Sequence, residues 1–596
     1  MDRLAIVRAL AETADLLTLT GGEPFRARAY ERGAHVLERL SDDEFARLVA
    51  EGRLTALAGI GRGLAGVITD LAGGGRSAAL EELRAALPAG AGELSKIPGL
   101  GLQKIRALQA ALGVDTLASL RAACEAGRVR SVKGFGEKTE RHILDAIRRL
   151  EAPAEPRAAR RALLAQALEV ADRVLAHLRA IPGVTAAEVA GDLRRSTETV
   201  DRLVIVLASR KPEAVLTAAL DSPLLVAGGR RDGLTARATL VTGLPLELLV
   251  VAPERWAAAL LDATGSPAHL LALEPLARER HVDLATATGQ DEAQLYRRLG
   301  LPYIPPEVRE GAGEIEAARA GTLPDDLVTL DDVRGLVHCH TTYSDGRHTV
   351  LEMARAAEAL GMRYMTITDH SPTASYAHGL EVDRLRAQWD EIARVQEQVA
   401  VRLLRGTESD ILADGALDYP DDVLERLDVI IASIHARHRM DADHMTERIV
   451  RAMRHPCFKI WGHALGRLVL SRPPIEAHVE RILDAIAASS AAIEINGDPH
   501  RLDLPPVWIR AARERGIRFV ISTDAHATGE LRNVRYGVAM ARRGWVRRGE
   551  VLNTLDAEAF ARAVAPAGGP APRRARAAGR SMSGREPGAS PLEVAR

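Results

Sequence analysis

The sequence has few cysteines, almost no net charge and no long apolar run, and each absence excludes a class of protein. Its three cysteines, Cys124, Cys339 and Cys457, lie far apart, which argues against a disulfide framework or a thiolate zinc cluster and fits a reducing cytoplasm. The net charge of −1 gives no support for nucleic-acid binding, which must therefore come from local basic elements. No apolar stretch approaches membrane-spanning length, and the first residues form no apolar signal core.

A glycine-containing turn recurs three times within the first 150 residues, which otherwise predict helices. Each copy places an apolar residue between two glycines, just before a predicted helix. Paired glycines let the backbone approach a ligand closely, and a helix N-terminus offers N–H groups to phosphate. One copy would be explained by a tight helix–helix connection, whereas three copies favour binding of the nucleic-acid backbone without sequence reading. The predicted DNA-binding residues are Gly59, Gly61, Gly99, Gly101, Lys104, Gly134, Gly136 and Lys138.

Short apolar strands alternate with amphipathic helices between residues 331 and 565, and this pattern predicts a parallel barrel of βα units. The predicted strands are Leu336–His340, Tyr364–Asp369, Arg402–Glu408, Val429–His435, Lys459–His463, Ala492–Asn496 and Arg518–Thr523. Histidine or a carboxylate stands at or after the end of nearly every one. Period-two alternation predicts that His338 and His340 share one strand face. Because barrel active sites gather at the C-terminal ends of the strands, we expect a metal site there.

Together these features resemble the bacterial family X DNA polymerases that carry a C-terminal PHP (polymerase and histidinol phosphatase) domain. The resemblance includes the segment Pro24–Tyr30 and the three turns, and it extends to about residue 565. It implies a multidomain fold with α+β and α/β parts. The expected domains are an N-terminal helix–hairpin–helix domain (1–88), a fingers-like helix–hairpin–helix domain (89–150), a nucleotidyltransferase-like palm (160–240), a thumb-like domain (241–315), a distorted (β/α)7 PHP barrel (331–565) and a disordered tail (566–596).

The resemblance also implies a metal centre in the barrel with up to three divalent ions. Histidine and carboxylate ligands suit manganese, zinc or iron. The implied ligands are His338, His340, Asp345, His370, Glu408, His435, His463, Asp524 and His526. The implied catalytic residues are His338, His340, Glu408, His435, Asp524 and His526. One ion would take His338, His340, Glu408 and Asp524; a second Glu408, His435 and His463; and a third Asp345, His370 and His526.

The palm departs from the family at the positions that carry polymerase chemistry. Family members place two magnesium ions on an Asp-x-Asp pair and a third aspartate. The pair is Arg202 and Val204 here, or Asp201 and Leu203 if one residue has been deleted, and the third position is Glu247. At most one carboxylate of the pair survives. A magnesium site is therefore not expected in the palm, and the sequence predicts a pseudo-polymerase.

Two further positions differ from the family pattern. Asp192 replaces a serine that would contact a nucleotide phosphate, and its charge would repel a triphosphate. Val67 stands where some relatives have a lysine that forms a Schiff base with an abasic sugar, which an aliphatic side chain cannot do. We therefore expect no lyase chemistry at that position.

These interpretations predict a monomeric DNA-repair hydrolase of the bacterial cytoplasm and nucleoid, with a role in base excision repair. Its barrel would be a metal-dependent phosphodiesterase, foremost a 3′–5′ exonuclease that also processes abasic or blocked 3′ ends. The expected partner is gapped, nicked or 3′-ended DNA, bound without sequence preference and without a membrane. The alternatives are an active gap-filling polymerase, a histidinol-phosphatase-like enzyme for small molecules, and a non-catalytic DNA-binding scaffold.

Overall fold

A computed structural model gives the fold in two compact units, Met1–Ala159 and Arg160–Arg596. It describes residues 2–566 except 20–23, 39, 41, 58, 75–76, 86–93, 95–96, 98–99, 101, 138, 142, 145–146, 148–160, 227–228, 285 and 290. The predicted linker at 151–160 and the predicted tail beyond Pro566 lie outside the described residues.

The first unit is built of helices wherever regular structure is described. Its α-helices are α1 (Arg3–Leu19), α2 (Pro24–Glu38), α3 (Asp42–Ala50), α4 (Arg62–Gly74), α5 (Ala78–Ala85), α6 (Leu102–Leu112) and α7 (Leu117–Glu125). They bury two separate apolar cores, one between Ile6 and Leu80 and the other between Leu94 and Ile147. Two small cores in sequence order fit two successive helical modules.

The second unit opens with the region expected to be the palm. The strands of this region are β1 (Ala162–Leu163), β2 (Val184–Ala190), β3 (Thr199–Val200), β4 (Leu203–Ser209), β5 (Arg230–Asp232), β6 (Thr235–Thr239) and β7 (Pro245–Val251). Strands β2-β4-β7-β6-β5, in this order, form the mixed sheet of the palm, and β1 pairs with β3 separately. The helices of this region, with those that follow it, are α8 (Leu164–Arg179), α9 (Gly191–Arg194), α10 (Pro212–Leu220), α11 (Trp256–Thr264), α12 (Pro267–Glu279), α13 (Glu292–Arg298) and α14 (Glu314–Ala320).

The barrel follows as seven parallel strands in sequential order. They are β8 (Gly335–Leu336), β9 (Tyr364–Ile367), β10 (Arg402–Asp410), β11 (Val429–Ser433), β12 (Ile460–Trp461), β13 (Ala492–Asn496) and β14 (Phe519–Ser522). The helices of the barrel are α15 (Val350–Ala359), α16 (Val382–Gln396), α17 (Asp421–Leu424), α18 (Ala442–Met453), α19 (Val479–Ala487), α20 (Pro506–Glu514), α21 (Val534–Arg543) and α22 (Ala557–Val564). Backbone hydrogen bonds just beyond β8 and β14 close the ring, among them His340 N–H to the Ala525 carbonyl at 2.8 Å.

All seven predicted strands are present, but the prediction for the first one was wrong in detail. The predicted strand Leu336–His340 is paired only over Gly335–Leu336, and His338 lies beyond it with a φ of +64°. Strand alternation is therefore not what brings His338 and His340 together. The turn after the strand does so, because a left-handed residue redirects the chain toward the barrel axis.

The palm and the barrel share one continuous apolar core, which runs from α8 through the palm sheet to the barrel helices. Buried aliphatic side chains on both sides of the boundary belong to it, such as Leu164 in the palm and Met353 in the barrel. Ion pairs also join the barrel to the preceding residues, among them Arg467 with Glu198, Arg542 with Glu307, and Arg543 with Glu310. The two parts therefore form one packed body.

Candidate metal centre

The nine predicted ligand positions converge on one place at the C-terminal rim of the barrel. Glu408, at 1% exposure, lies in the middle. Its Oε2 is 3.0 Å from His370 Nδ1 and 3.3 Å from His338 Nε2, and its Oε1 is 2.7 Å from His463 Nε2 and 3.1 Å from His435 Nε2. A carboxylate flanked by four imidazoles is suited to bridging cations.

Three groups of side chains bring their donor atoms close enough together for one ion each. The groups are His340, Asp345, His370 and His526; His338, His340 and Asp524; and His370, Glu408 and His435. His463 belongs to the same cluster, because its Nε2 lies 3.2 Å from His435 Nε2. Histidine and carboxylate clusters of this kind can bind divalent metals.

Unpartnered polar atoms test whether these residues fit a metal. The buried His338 Nε2, both ring nitrogens of His340, His370 Nδ1 and Glu408 Oε2 have no hydrogen-bond partner. Leaving a buried polar atom without a partner costs about 1–3 kcal/mol, so five such atoms facing one cluster are expensive without a ligand. Cations at this place could bind His338 Nε2, one nitrogen of His340, His370 Nδ1 and Glu408 Oε2, and the donor set therefore fits metal binding.

Several residues that the ligand pattern missed hold the ligands in place. Glu494 accepts from His338 Nδ1 at 2.5 Å and from the backbone N–H of His463. Asp410 lies 3.3 Å from His435 Nδ1. Such partners fix the tautomer and orientation of a ligating imidazole. A charged residue inside the apolar strand β13 was the available sequence signal for Glu494.

Asp524 is held from the side away from the histidines. Its Oδ2 accepts from Arg501 Nε at 3.0 Å and from Asn496 Nδ2 at 3.1 Å, while its Oδ1 faces the Nε2 atoms of His338 and His340 at 3.6 and 3.4 Å. Asp524 also has a φ of +49°. A strained backbone at a fixed carboxylate is typical of functional sites. No spacing pattern had indicated Arg501.

Electrostatics within the cluster keep its carboxylates charged. Burial acts to raise the pKa of Glu408, but His435, His338, His370 and His463 hold that pKa well below its usual value. Burial acts to lower the pKa of His435, yet Glu408 and Asp410 raise it to about 10. Burial and the neighbouring His526 and His370 lower the pKa of His340 to about 3. The centre thus combines anionic ligands with imidazoles of very different proton affinity.

Two other strand-end residues support the rim and are not ligands. Asp369 accepts from the backbone N–H of Thr341 at 2.8 Å and from Gln388 Nε2 at 2.5 Å, which fixes the turn after His340. Arg467, which follows β12, has its side chain bonded to Glu198 of the palm.

The three glycine turns of the first unit have the same backbone hydrogen bond at the equivalent position. In each, the N–H of the residue between the glycines donates to the carbonyl three residues earlier: Ile60 to Leu57, Leu100 to Ile97 and Phe135 to Val132, at 3.0, 3.1 and 3.0 Å. Gly59 and Gly134 have φ of +94° and +93°, so these positions require glycine. The carbonyls of Gly61 and Gly136 accept backbone hydrogen bonds from the N–H groups of Ala65 and Glu140, four residues further along the chain.

Part of the predicted DNA-binding set cannot be placed. Gly99, Gly101 and Lys138 lie outside the described residues, whereas Lys104 is described and exposed on α6. A Cβ added at Gly61 would meet no atom within 4 Å, so the fold itself does not demand glycine there. Open space before a helix N-terminus leaves room for a phosphate.

Comparison with known proteins places the chain in a family. The profile of the helix-hairpin-helix domain matches residues 1–77, that of a SAM-like helix-hairpin-helix tandem matches 91–149, and that of the PHP domain matches 337–498. The DNA polymerase/3′-5′ exonuclease PolX of Bacillus subtilis is 34% identical over 579 residues, which cover 94% of this chain and 99% of the relative. This chain belongs to the PolX family.

Other relatives match the barrel alone. A probable phosphatase of Caldanaerobacter subterraneus is 28% identical over 201 residues, covering 32% of this chain and 74% of the relative. A probable phosphatase of a Thermoanaerobacter species is 26% identical over 229 residues, covering 36% and 89%. No helix in the described part of the chain combines the length and apolarity that crossing a membrane requires.

In this PolX-family palm the predicted degenerate positions Arg202, Val204 and Glu247 lie together, and the two charged ones form an ion pair with each other. Val204 and Glu247 face each other across the parallel β4–β7 ladder. Arg202 reaches Glu247 at 3.4 Å and Asp201 at 3.5 Å, and Arg237 lies 3.2 Å from Glu247. Arginine nitrogens therefore occupy the surroundings of the remaining carboxylates.

Asp192 is likewise paired within the palm. It lies 2.5 Å from Arg195, which also reaches Glu310 at 3.1 Å. Val67, the position at which lyase chemistry was not expected, lies half-buried on α4 against the first apolar core.

Proposed function

We propose that this PolX-family protein is a DNA-repair phosphodiesterase whose catalytic centre is the metal cluster of the PHP barrel, acting as a 3′–5′ exonuclease. The observation that supports it most is the convergence of eight ligand-type side chains around Glu408, with unpartnered ring nitrogens and the unpartnered Glu408 Oε2 directed at one cluster. The name of the Bacillus relative, which includes the same activity, agrees with this proposal.

We infer that three ions, of manganese, zinc or iron, would be held as the family resemblance implies, with His340 and His370 also close enough to a neighbouring group to be shared. His338, His340, Glu408 and Asp524 would hold one ion, Glu408, His435 and His463 a second, and Asp345, His370 and His526 a third. Divalent ions supply the charge that stabilises the phosphodiester transition state and the acidity that makes water a nucleophile at neutral pH. The nine residues themselves position these charges and exclude bulk water from the buried side.

Two residues beside the cluster are suited to hold the DNA end. Arg501 keeps a buried Nη1 without a hydrogen-bond partner, while its Nε is fixed on Asp524. That free donor could bind a phosphate oxygen. Tyr376 is 66% exposed, and its ring centroid lies 6.0 Å from that of His370 and 6.3 Å from that of His435. An exposed aromatic ring at this distance could stack on a terminal base.

The helix–hairpin–helix turns would bind the DNA backbone without sequence preference, through Gly59, Gly61, Gly134, Gly136 and Lys104, with Gly99, Gly101 and Lys138 as further contacts. Gapped, nicked or 3′-ended DNA is the proposed substrate, in base excision repair at the bacterial nucleoid, by a cytoplasmic monomer. The proposed domain boundaries are those expected from the sequence, except that β7 pairs with β4 in the palm sheet, which moves the end of the palm from residue 240 to about residue 251.

Polymerase activity is proposed to be absent. Two-metal nucleotidyl transfer needs clustered free carboxylates, and Glu247 and Asp201 both lie against Arg202. Primer extension on gapped DNA with Mg²⁺ or Mn²⁺ should show no incorporation. Incorporation that Glu247→Ala abolishes would contradict this part of the proposal.

The decisive experiment follows cleavage of 5′-labelled gapped DNA in Mn²⁺. The protein should produce a ladder of shortened strands, and His338→Ala/His340→Ala should reduce the rate at least a thousandfold. The matched control is His444→Ala/His478→Ala, which removes two barrel histidines that are 71% and 46% exposed and lie outside the cluster. Equal loss in both variants, or laddering that survives the first, would refute the proposal.

A phosphatase for small molecules is the second candidate, because probable phosphatases match the barrel alone. Turnover of histidinol phosphate that far exceeds turnover of DNA under the same Mn²⁺ conditions would favour it.

A further inference from the structure

Arg467 is a barrel residue whose guanidinium is bonded to the palm. It follows β12, its side chain is 10% exposed, and its Nη2 and Nη1 lie 2.8 and 3.2 Å from Oε1 and Oε2 of Glu198. Glu198 lies between α9 and β3, and its carbonyl accepts from the N–H of Leu164 at 3.1 Å. A two-pronged pair between arginine and a carboxylate is among the strongest and most directional contacts in proteins.

The same guanidinium holds the chain segment 501–503 of the barrel. Its Nε donates to the carbonyl of Arg501 at 3.0 Å, and its Nη2 also donates to the carbonyl of Leu502. The carboxylate of Asp503 is completely buried and accepts from the N–H of Leu465 at 3.0 Å and from the N–H of Arg467 at 3.4 Å. The segment is therefore fixed against the loop that carries Arg467.

Segment 501–503 in turn leads to a residue of the metal cluster. Arg501 donates from Nε to Oδ2 of Asp524, which leaves Oδ1 facing the Nε2 atoms of His338 and His340. The orientation of the Asp524 carboxylate thus depends on where Arg501 lies. The palm carboxylate is therefore connected to the cluster through the hydrogen bonds of Arg467 and the side chain of Arg501.

We propose that Glu198 is a positioning residue for the barrel's metal centre, acting through Arg467 and segment 501–503 on Asp524. Without Glu198, Arg467 keeps a nearly buried charge but loses its counterion, which is a costly state. The Asp503 carboxylate already accepts from the backbone N–H of Arg467, and movement of the guanidinium toward it would break the bonds to the carbonyls of Arg501 and Leu502. Asp524 would then lose its fixed orientation.

This inference rests on the proposed metal site, and its test measures metal binding directly. Mn²⁺ titrated calorimetrically into full-length Glu198→Gln should bind about tenfold more weakly than to the unsubstituted protein, the lower end of the loss caused by removing a direct partner of a metal ligand. The matched control is Glu307→Gln, which breaks the pair between Glu307 and Arg542 at 2.7 Å. Arg542 otherwise donates to the carbonyl of Val328, so the control should leave Mn²⁺ affinity unchanged.

A double-substitution cycle with Arg467→Gln separates positioning from general stability. Glu198→Gln and Arg467→Gln together should weaken Mn²⁺ binding no more than the worse single variant, because both interrupt one path. DNA cleavage by Glu198→Gln should lose kcat at limiting Mn²⁺, regain it at saturating Mn²⁺ and keep its KM for DNA. If Glu198→Gln does not fold, Glu198→Asp, which is one methylene shorter, is judged by the same criteria.

The outcomes distinguish this inference from the function on which it rests. Unchanged Mn²⁺ affinity in Glu198→Gln, or an equal loss in Glu307→Gln, would overturn the inference alone. Absence of Mn²⁺ binding to the unsubstituted protein would overturn the proposed function as well.

Discussion

At the scale of single residues, some side chains of the metal cluster could be predicted from the sequence and others could not. Histidine and carboxylate positions at strand ends could be predicted, because a parallel barrel brings those ends together. Glu494 and Arg501 could not be assigned, since a buried partner of a ligand carries no spacing rule. Their importance appears only in the contacts with His338 and Asp524.

Glu494→Gln tests the support of a ligand by its neighbour. The substitution keeps the size of the side chain but removes the negative charge that faces His338 Nδ1 at 2.5 Å. We expect Mn²⁺ affinity to fall by about 10- to 100-fold. The matched control is Glu352→Gln on the barrel surface, where glutamine can still form the capping box with Thr349. Equal Mn²⁺ affinity in the two variants by calorimetric titration would argue against this role for Glu494.

Protons should compete with metal at this centre. The Glu408 and Asp410 carboxylates raise the pKa of His435 to about 10 against the effect of burial, and Asp345 raises that of His526 to about 9. Both imidazoles are therefore protonated at pH 7 without metal, and a metal requires them neutral. Mn²⁺ binding at pH 7 should release protons, and affinity should rise with pH up to about 10. Calorimetry in buffers of different ionisation enthalpy measures this release, and pH-independent affinity would contradict it.

At the scale of elements, helices and strands were easier to predict than their ends. The predicted strand Ala492–Asn496 has the observed bounds, whereas Lys459–His463 is paired only over Ile460–Trp461. Apolar patterning indicates which segments are buried but not where hydrogen bonding stops. The chain leaves the ladder early where it turns His463 toward Glu408.

The glycine turn before α4 offers a test of DNA binding at this scale. Gly61→Ala adds a methyl group that meets no protein atom, so the fold should persist, while a bound phosphate would meet it. We expect affinity for gapped DNA to fall several-fold, measured by fluorescence anisotropy at fixed salt. Gly66→Ala is the control, because its added Cβ also meets no atom but lies within α4. Similar anisotropy curves for both variants would count against a phosphate contact at Gly61.

At the scale of the whole molecule, the shared core of palm and barrel was beyond prediction. Sequence patterns show that the faces of α8 and α15 are apolar, but not that they belong to one cluster. The family resemblance implied a palm (160–240) and a barrel (331–565) as distinct domains. The packed body formed by the two parts predicts joint unfolding instead.

Hydrogen exchange can test that joint unfolding. Mn²⁺ at about 100 times its Kd should stabilise the body by about 2.7 kcal/mol, which is about 100-fold in exchange through global unfolding. Amides of the palm strand β4 should slow by the same factor as those of the barrel strand β11. Helix α1, which belongs to the other compact unit, serves as the internal control. Slowing in β11 without slowing in β4 would show that palm and barrel unfold separately.

The continuous core also bears on how such a chain can evolve. Removing the palm would uncover the apolar side chains that it covers on the barrel, so selection for a folded barrel also preserves palm positions such as Leu164 and Leu203. The polymerase positions Arg202 and Val204 lie outside this shared core, since Arg202 is half exposed and Val204 packs, partly buried, against a separate small apolar cluster of the palm. Substitution at these two positions therefore leaves the shared core intact, whereas deletion of the palm from this chain would expose it.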